Sequence, residues 1–390
     1  MRWRYRETVL ALCTLAFFAT MVARMAISPV VPSITAEFEV SNTVIGFALT
    51  GLWASYFLTQ YPSGVFADRF GERSVILVSI GGTAVASLAI GISPNIAVFV
   101  GAILLLGVTT GLHYSVATSL LTRTHDNVGT AIGLHSTGGP VAGLVTPVVV
   151  AWIAVRYGWR IGVTIGAVVA VVVFVGFAWK VRPTPPRTPD RSIGELFEYE
   201  TIRNVLARPP IAFTVCIAVL SEFVWQSTAS FLPTFLIAHH GLSTTAAGIG
   251  FGGYFLVHGV VQIAVGRLSD HYGRDRLIAG CMIAGIAGFS TLVVGSGLAA
   301  IATGITLVGI GMSWISAVLP RFIDNLSTAE QGVGFGLVRT VYGLLGASGS
   351  VSVGIVADAF SWGAAFGLLT VPLSLVLCAF AANYATGLRY

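Results

Sequence analysis

A chain of 390 residues that is 55% hydrophobic and only 9% charged cannot clothe a water-soluble fold, whose composition includes about 25% charged residues. Apolar runs of roughly 20 residues recur along nearly the whole length, and each can cross a bilayer as a helix. Lipid offers backbone groups no hydrogen bonds, which leaves helices or a closed barrel; continuous rather than alternating apolar runs favour helices.

The apolar runs predict twelve helices. In the first half they cover 9–33, 44–66, 75–93, 95–121, 128–155 and 160–181. In the second half they cover 210–237, 245–267, 277–296, 298–320, 331–357 and 361–382. The opening MRWRYRE resembles the basic lead of a secretory signal, but the following apolar run is too long for one, so it reads as a retained first helix. The organisation is a six-helix N-terminal bundle over 1–181, a cytoplasmic linker over 182–209 and a six-helix C-terminal bundle over 210–390. Prolines after Arg182 stop the sixth helix. Ser192 and Glu195 have capping-box spacing, which predicts an amphipathic helix from Ser192 to Leu206.

Orientation follows from the arginines and lysine. With the N-terminus inside, the cytoplasmic side collects basic residues from Arg2 to Arg389, and the outside only Arg156 and Arg160. The net charge of +5 is therefore topology rather than a nucleic-acid footprint. Cys13, Cys216, Cys281 and Cys378 all lie in apolar runs with no metal or redox spacing. No cofactor is implied.

The chain is an internal duplication. Residues 64–74 read GVFADRFGERS and residues 266–276 read GRLSDHYGRDR. Asp68 and Asp270 are 202 positions apart, and Ser41, Gly46, Gln60, Gly64, Gly71 and Ile76 match Ser243, Gly248, Gln262, Gly266, Gly273 and Ile278 at the same offset. Pro32 and Pro233 are expected to end the first helix of each half.

These loops resemble the signature between helices 2 and 3 of the major facilitator superfamily, a set of twelve-helix secondary transporters, and the duplication, orientation and central linker agree. The resemblance implies a cytoplasmic gate built from Gly64, Asp68, Arg69, Gly71 and Arg73, and from Gly266, Asp270, Gly273, Arg274 and Arg276. Neighbouring helix N-termini and arginines would stabilise the aspartates, and small glycines would let the helices approach. Charges that merely set topology are the alternative. Two departures weigh against drug export by proton antiport. Ile103 stands where the antiporters of the superfamily carry an arginine. In the fifth helix Gly139, Pro140 and Gly143 are present, but His135 and Leu144 replace the glycines at either end of the motif.

An ionisable side chain inside a membrane helix costs about 2.5–3.5 kcal/mol on insertion scales, so each one is a functional candidate. Arg24, Glu222 and Arg339 are the charged residues at depth. Gln226 aligns with Arg24 and stands one turn from Glu222. In one reading Arg24, Gln226 and Arg339 bind an anionic substrate and Glu222 carries the coupling proton. In a second, Arg24 and Glu222 form a switching ion pair for a neutral or cationic substrate. In a third the charges are structural. His113 and Tyr114, in the small-residue stretch GVTTGLHYSVATS, are further substrate-contact candidates; His135 and His258 are weaker ones.

The expectation is a cell-membrane secondary transporter working by alternating access, with proton-coupled symport of a small organic anion, and sufficient as a monomer. Its partners are the solute, the coupling ion and the lipid bilayer. The runner-up is a proton-driven exporter of amphipathic drugs. A nontransporting sensor of the same fold is a remote alternative. An intramembrane enzyme is another, and no HExxH, GxSxG or Asp-pair motif supports it.

Overall fold

The computed structural model describes residues 5–189, 206–326 and 331–388, with the side chains of 331–335 excepted. Among the described residues every regular element is helical. In chain order the helices are α1 (Tyr5–Met25), α2 (Val31–Phe38), α3 (Asn42–Phe70), α4 (Glu72–Gly91), α5 (Ile96–Gly111), α6 (Tyr114–Thr124), α7 (Val128–Ser136), α8 (Gly138–Tyr157) and α9 (Trp159–Lys180). They continue with α10 (Pro209–His240), α11 (Thr244–Tyr272), α12 (Arg274–Val294), α13 (Gly297–Gly311), α14 (Ile315–Asp324), α15 (Gln331–Gly346), α16 (Ser348–Ala359), α17 (Trp362–Leu368) and α18 (Thr370–Thr386).

Six of the expected rods are broken. α1/α2, α5/α6, α7/α8, α13/α14, α15/α16 and α17/α18 each occupy one apolar run, interrupted by a few residues or by one. Counted by runs, twelve rods result. Eleven of them are apolar enough to cross a membrane by composition. The exception is α3. It is 29 residues long, but Thr50, Ser55, Thr59, Gln60 and Ser63 dilute its hydropathy.

Three expectations need correction. Pro32 does not end the first rod: it is the second residue of α2, where a missing N–H is cheap, and the rod runs on to Phe38. Pro233 lies inside α10, which continues to His240. The helices flanking the two duplicated loops run past their apolar stretches to Phe70 and Tyr272, where Gly71 and Gly273, at positive φ, end them. The amphipathic helix expected from Ser192 falls outside the described residues but for its last position.

The chain forms two compact units, one of Met1–Ile34 with Gly51–Glu198 and one of Thr35–Thr50 with Tyr199–Tyr390. In the first, a core of Val9, Cys13, Ile76, Ile80, Val116, Leu120 and Phe177 joins α1, α4, α6 and α9. Burial is of dispersion contacts and interlocked shape, since lipid tails are as apolar as these side chains. In the second unit α12 crosses α13 so closely that a Cβ on Gly311 would stand 2.7 Å from the Gly285 nitrogen and 3.0 Å from the Cys281 carbonyl. Backbone cannot yield as a side chain can. Gly311→Val should cost about 1–3 kcal/mol and lower the melting temperature in detergent, whereas Gly280→Ala, with nothing within 4 Å of the new Cβ, should leave it unchanged.

Candidate functional site

In the first unit the charge at depth is Arg24, in the last turn of α1 and 5% exposed. Its Nε donates to the Thr20 carbonyl at 3.3 Å, and Nη2 lies 2.9 Å from the Met21 sulfur. The guanidinium carbon sits 4.1 Å from the Tyr56 ring centre and 5.5 Å from that of Trp53. A delocalised, weakly hydrated cation is well held by aromatic faces.

In the second unit the charge at depth is Glu222 on α10, 6% exposed. Gln226 donates from Nε2 to its Oε1 at 3.0 Å and to the Gly343 carbonyl at 3.1 Å. The pairing expected one turn apart on the helix is present. Gly346 makes room for it: a Cβ there would meet the Glu222 Cβ at 2.8 Å. Arg339 of α15 is half-buried and close enough for its charge to act on Glu222. The buried hydroxyl of Tyr254 on α11 has no hydrogen-bond partner among the described residues. Tyr254 was not legible as a site residue, because a tyrosine in an apolar run carries no charge signal. His258, which matches Tyr56 at the 202 offset, stacks on Tyr254 at 6.0 Å and faces the Ser313 hydroxyl at 3.4 Å.

His113 occupies the break between α5 and α6, and Tyr114 begins α6. Tyr114 shares a hydrogen bond with Ser136 at 3.2 Å, and His135 of α7 packs against both His113 and Tyr114. Tyr342 is absorbed in packing, stacked on Phe322 at 6.2 Å.

The two duplicated loops are built alike but partnered differently. Gly71 and Gly273 have φ of +80° and +91°, which only glycine adopts cheaply, and each stands before a helix. At Gly71 a Cβ would collide with the Thr184 backbone. At Gly64 and Gly273 the space is open, so close approach is not their role. Asp68 meets Arg187 at 3.5 Å, and its own carbonyl accepts from the Arg187 and Thr188 amides. Arg73 reaches the Val181 and Ala178 carbonyls at 2.8 and 2.7 Å, and Arg69 lies over Phe70. The partners of the first loop thus come from the end of α9 and the start of the linker. Glu72, its side chain 2% exposed, binds Arg123 at 2.8 Å and Arg187 at 3.4 Å. In the second loop Asp270 and Asp324 clasp Arg274 at 2.9 and 2.7 Å, and Asp275 holds Arg321 at 2.7 Å. Arg276 lines a surface cavity with Arg274, Asp275, Arg321 and Asp324.

At the opposite end of α3 a second polar lock stands within the second unit. Asp358 of α16 accepts from the Asn42 and Thr43 amides at 3.2 and 2.7 Å, and from their side chains at 2.8 and 2.6 Å. The Thr50 hydroxyl donates to the Ala347 carbonyl at 2.9 Å and accepts from the Val351 amide at 3.1 Å. Gly46 and Gly354 bring these backbones together. Sequence reasoning missed Asp358, since a carboxylate at a helix end looks like an ordinary solvated charge and its partners lie 316 positions away.

The Major Facilitator Superfamily profile matches residues 13–249 and 214–386, and the chain belongs to that superfamily. It is an integral multi-pass membrane protein. It is 27% identical to the membrane sensor protein UhpC of Escherichia coli (strain K12) over 197 residues, half of this chain and 45% of that protein. The chain therefore spans less than half the length of its sensor relatives. It is 24% identical to the multidrug transporter MdfA of Yersinia pestis (strain D106004) over 92% of this chain and 88% of that protein. Among solved structures, the nucleoside transporter NupG superposes with a TM-score of 0.81 at 13% identity, covering 98% of this chain and 99% of that one. A bacterial homologue of the lysosomal transporter Spinster, inward-facing and unoccupied, gives 0.78 at 17% identity over 98% and 96%. These likenesses show the fold alone.

The Asp358 lock makes a local prediction. Asp358→Ala removes the acceptor from two helix-initiating amides, a change worth about 1 kcal/mol or roughly fivefold in an opening equilibrium. Hydrogen–deuterium exchange of a peptide holding Asn42 and Thr43 should quicken by about that factor, while exchange near Gly71 stays unchanged.

Proposed function

We propose that this chain is a secondary transporter that works by alternating access and moves a small organic anion together with a proton. The observation that supports it best is that each compact unit keeps a buried ionic group within a membrane rod, away from the loop networks of Glu72 and Arg321, and that the two are of opposite kind. One is a guanidinium seated on aromatic rings, the other a carboxylate that accepts from a side-chain amide. Arg24 receives the anion. Glu222 loads and releases the proton, assisted by Gln226 and by the charge of Arg339. On this reading the loops around Asp68 and Asp270 form the cytoplasmic gate, the 1–181 and 210–390 halves are the moving bundles, and both termini are cytoplasmic. The Asp358 lock then lies at the outer end of α3. The energy source is an ion gradient, and one chain suffices.

A second reading has a specific observation behind it. The multidrug transporter MdfA aligns along 92% of the chain, which favours proton-driven export of amphipathic drugs. The sensor relatives favour a third, a nontransporting receptor.

The readings separate in reconstituted vesicles. Arg24→Gln should abolish uptake of the organic anion, and Arg24→Lys should retain a fraction, because lysine keeps the charge but loses the fork. Glu222→Gln, which mimics a permanently protonated carboxyl, should keep solute exchange at wild-type rates while losing accumulation driven by a pH gradient, a loss of tenfold or more. Wild-type accumulation by Glu222→Gln excludes Glu222 as the proton carrier. Binding of a cationic dye that depends on Glu222 selects the drug exporter.

A further inference from the structure

The chain that leaves α9 is strapped onto the first duplicated loop. Four of the eight residues 182–189 are proline, so the segment has little freedom and few amides to satisfy. The Arg182 amide donates to the Tyr5 hydroxyl at 2.9 Å, and the Arg187 and Thr188 amides donate to the Asp68 carbonyl at 2.8 and 3.0 Å. The Thr184 hydroxyl accepts from the Arg73 amide at 2.9 Å. Asp68 lies in the last turn of α3, whose carbonyls lack intrahelical donors, so the segment caps that helix. Arg73 in return caps the end of α9 through the Ala178 and Val181 carbonyls. Backbone and caps thus fix the strap in place.

One side chain of the strap is held less firmly. Arg187 is 45% exposed and lies 3.5 Å from Asp68, 3.4 Å from Glu72 and 3.4 Å from the Ser119 hydroxyl. Each contact is long for a charge-assisted bond. Glu72 also binds Arg123, at 2.8 Å, and that bond does not involve Arg187. Among the described residues Arg187 is the cation paired with the Asp68 carboxylate, which is itself 37% exposed. An exposed pair of this length contributes little, so it is the first link of the network to break.

The duplication explains why the linker supplies this cation. In the second loop the residue four beyond the aspartate is Arg274, which clasps Asp270 at 2.9 Å. At the same offset the first loop has Glu72. A carboxylate one turn beyond Asp68 repels it where an arginine would hold it. The arginines of the first loop are engaged elsewhere, Arg73 on α9 and Arg69 over Phe70. Arg187 stands against both acids and offsets that repulsion.

We propose that Arg187 is a detachable cation that holds Asp68 within the first unit, and that its release frees Asp68 for the cytoplasmic gate. The inference rests on the reading of Asp68 as a gate residue. The strap keeps its backbone bonds while the side chain swings away, so the loop retains its shape and only the charge pairing changes. Glu72 retains Arg123. Asp68 is left unpaired, and a new partner becomes favourable. Control by the linker is one-sided, because Asp270 carries its own arginine.

The test compares gate populations in the full chain, held in lipid nanodiscs with its four cysteines replaced by alanine. Spin labels on Thr122→Cys, at the end of α6, and Ile323→Cys, at the end of α14, report the cytoplasmic separation by double electron–electron resonance. Both positions are exposed. Arg187→Ala should raise the ratio of short to long distances about threefold, and Arg187→Lys should raise it less. Asp68→Asn should lower the ratio, and adding Arg187→Ala to it should change nothing further, since the released group is gone. Each variant is checked for an unchanged melting temperature. A ratio that Arg187→Ala leaves alone or lowers overturns the proposal, as does an equal rise in the Asp68→Asn background. If Asp68→Asn still lowers the ratio in that case, the gate stands without the strap. If Asp68→Asn has no effect, Asp68 is not a gate residue and both ideas fall.

Discussion

Every polar or charged group kept among these helices must find its partner in protein, because the hydrocarbon around them offers none. That constraint orders the whole structure. It makes the backbone helical, it confines unpaired charge to the helix ends, and it makes each exception expensive enough to need a reason. Arg24 is satisfied by carbonyl, sulfur and aromatic faces; Glu222 by the amide of Gln226. The glycines serve the same end. At Gly346 and Gly354 they let backbones and side chains approach until the polar groups can meet.

The duplication gives the two units equivalent positions but different chemistry. Arg24 and Gln226 correspond, as do Tyr56 and His258. In the first unit a cation lies on a tyrosine ring; in the second an amide supports a carboxylate, and a histidine stacks on Tyr254. The loops diverged likewise. The first is clasped by the linker through Arg187 and Thr184, the second by the aspartates of its own unit. Glu72, nearly closed off from solvent and bound to two arginines, is the member of these networks whose loss should cost most, since exposed pairs such as Asp324 with Arg274 contribute about 0–1 kcal/mol.

Much of this was legible in the residues. Apolar runs located the rods to within a few positions, and the copied loops pointed to the family. Charges inside apolar runs stand out because insertion penalises them, so Arg24, Glu222 and Arg339 are legible in the sequence alone. What stayed hidden has a physical cause. Hydropathy sums over a window and is blind to a broken rod, so the turn at His113 read as continuous helix. Pro32 and Pro233 misled because proline is at home in the first turn of a helix and is tolerated within a membrane helix. Long-range partners were invisible. Neither the four bonds of Asp358 nor the reach of Arg73 to the Ala178 and Val181 carbonyls leaves any local trace. His135 read as a departure from an antiporter motif rather than as the partner of His113.

The central claim is that an anion and a proton travel together. It is tested most directly by trapping a pH-sensitive dye inside vesicles reconstituted with the purified protein and adding organic anions outside with no pH gradient present. The account predicts that an accepted anion acidifies the lumen as it enters, and that Arg24→Gln vesicles stay neutral. Uptake of a transported solute that leaves the luminal pH unchanged, or that makes it alkaline, would contradict it.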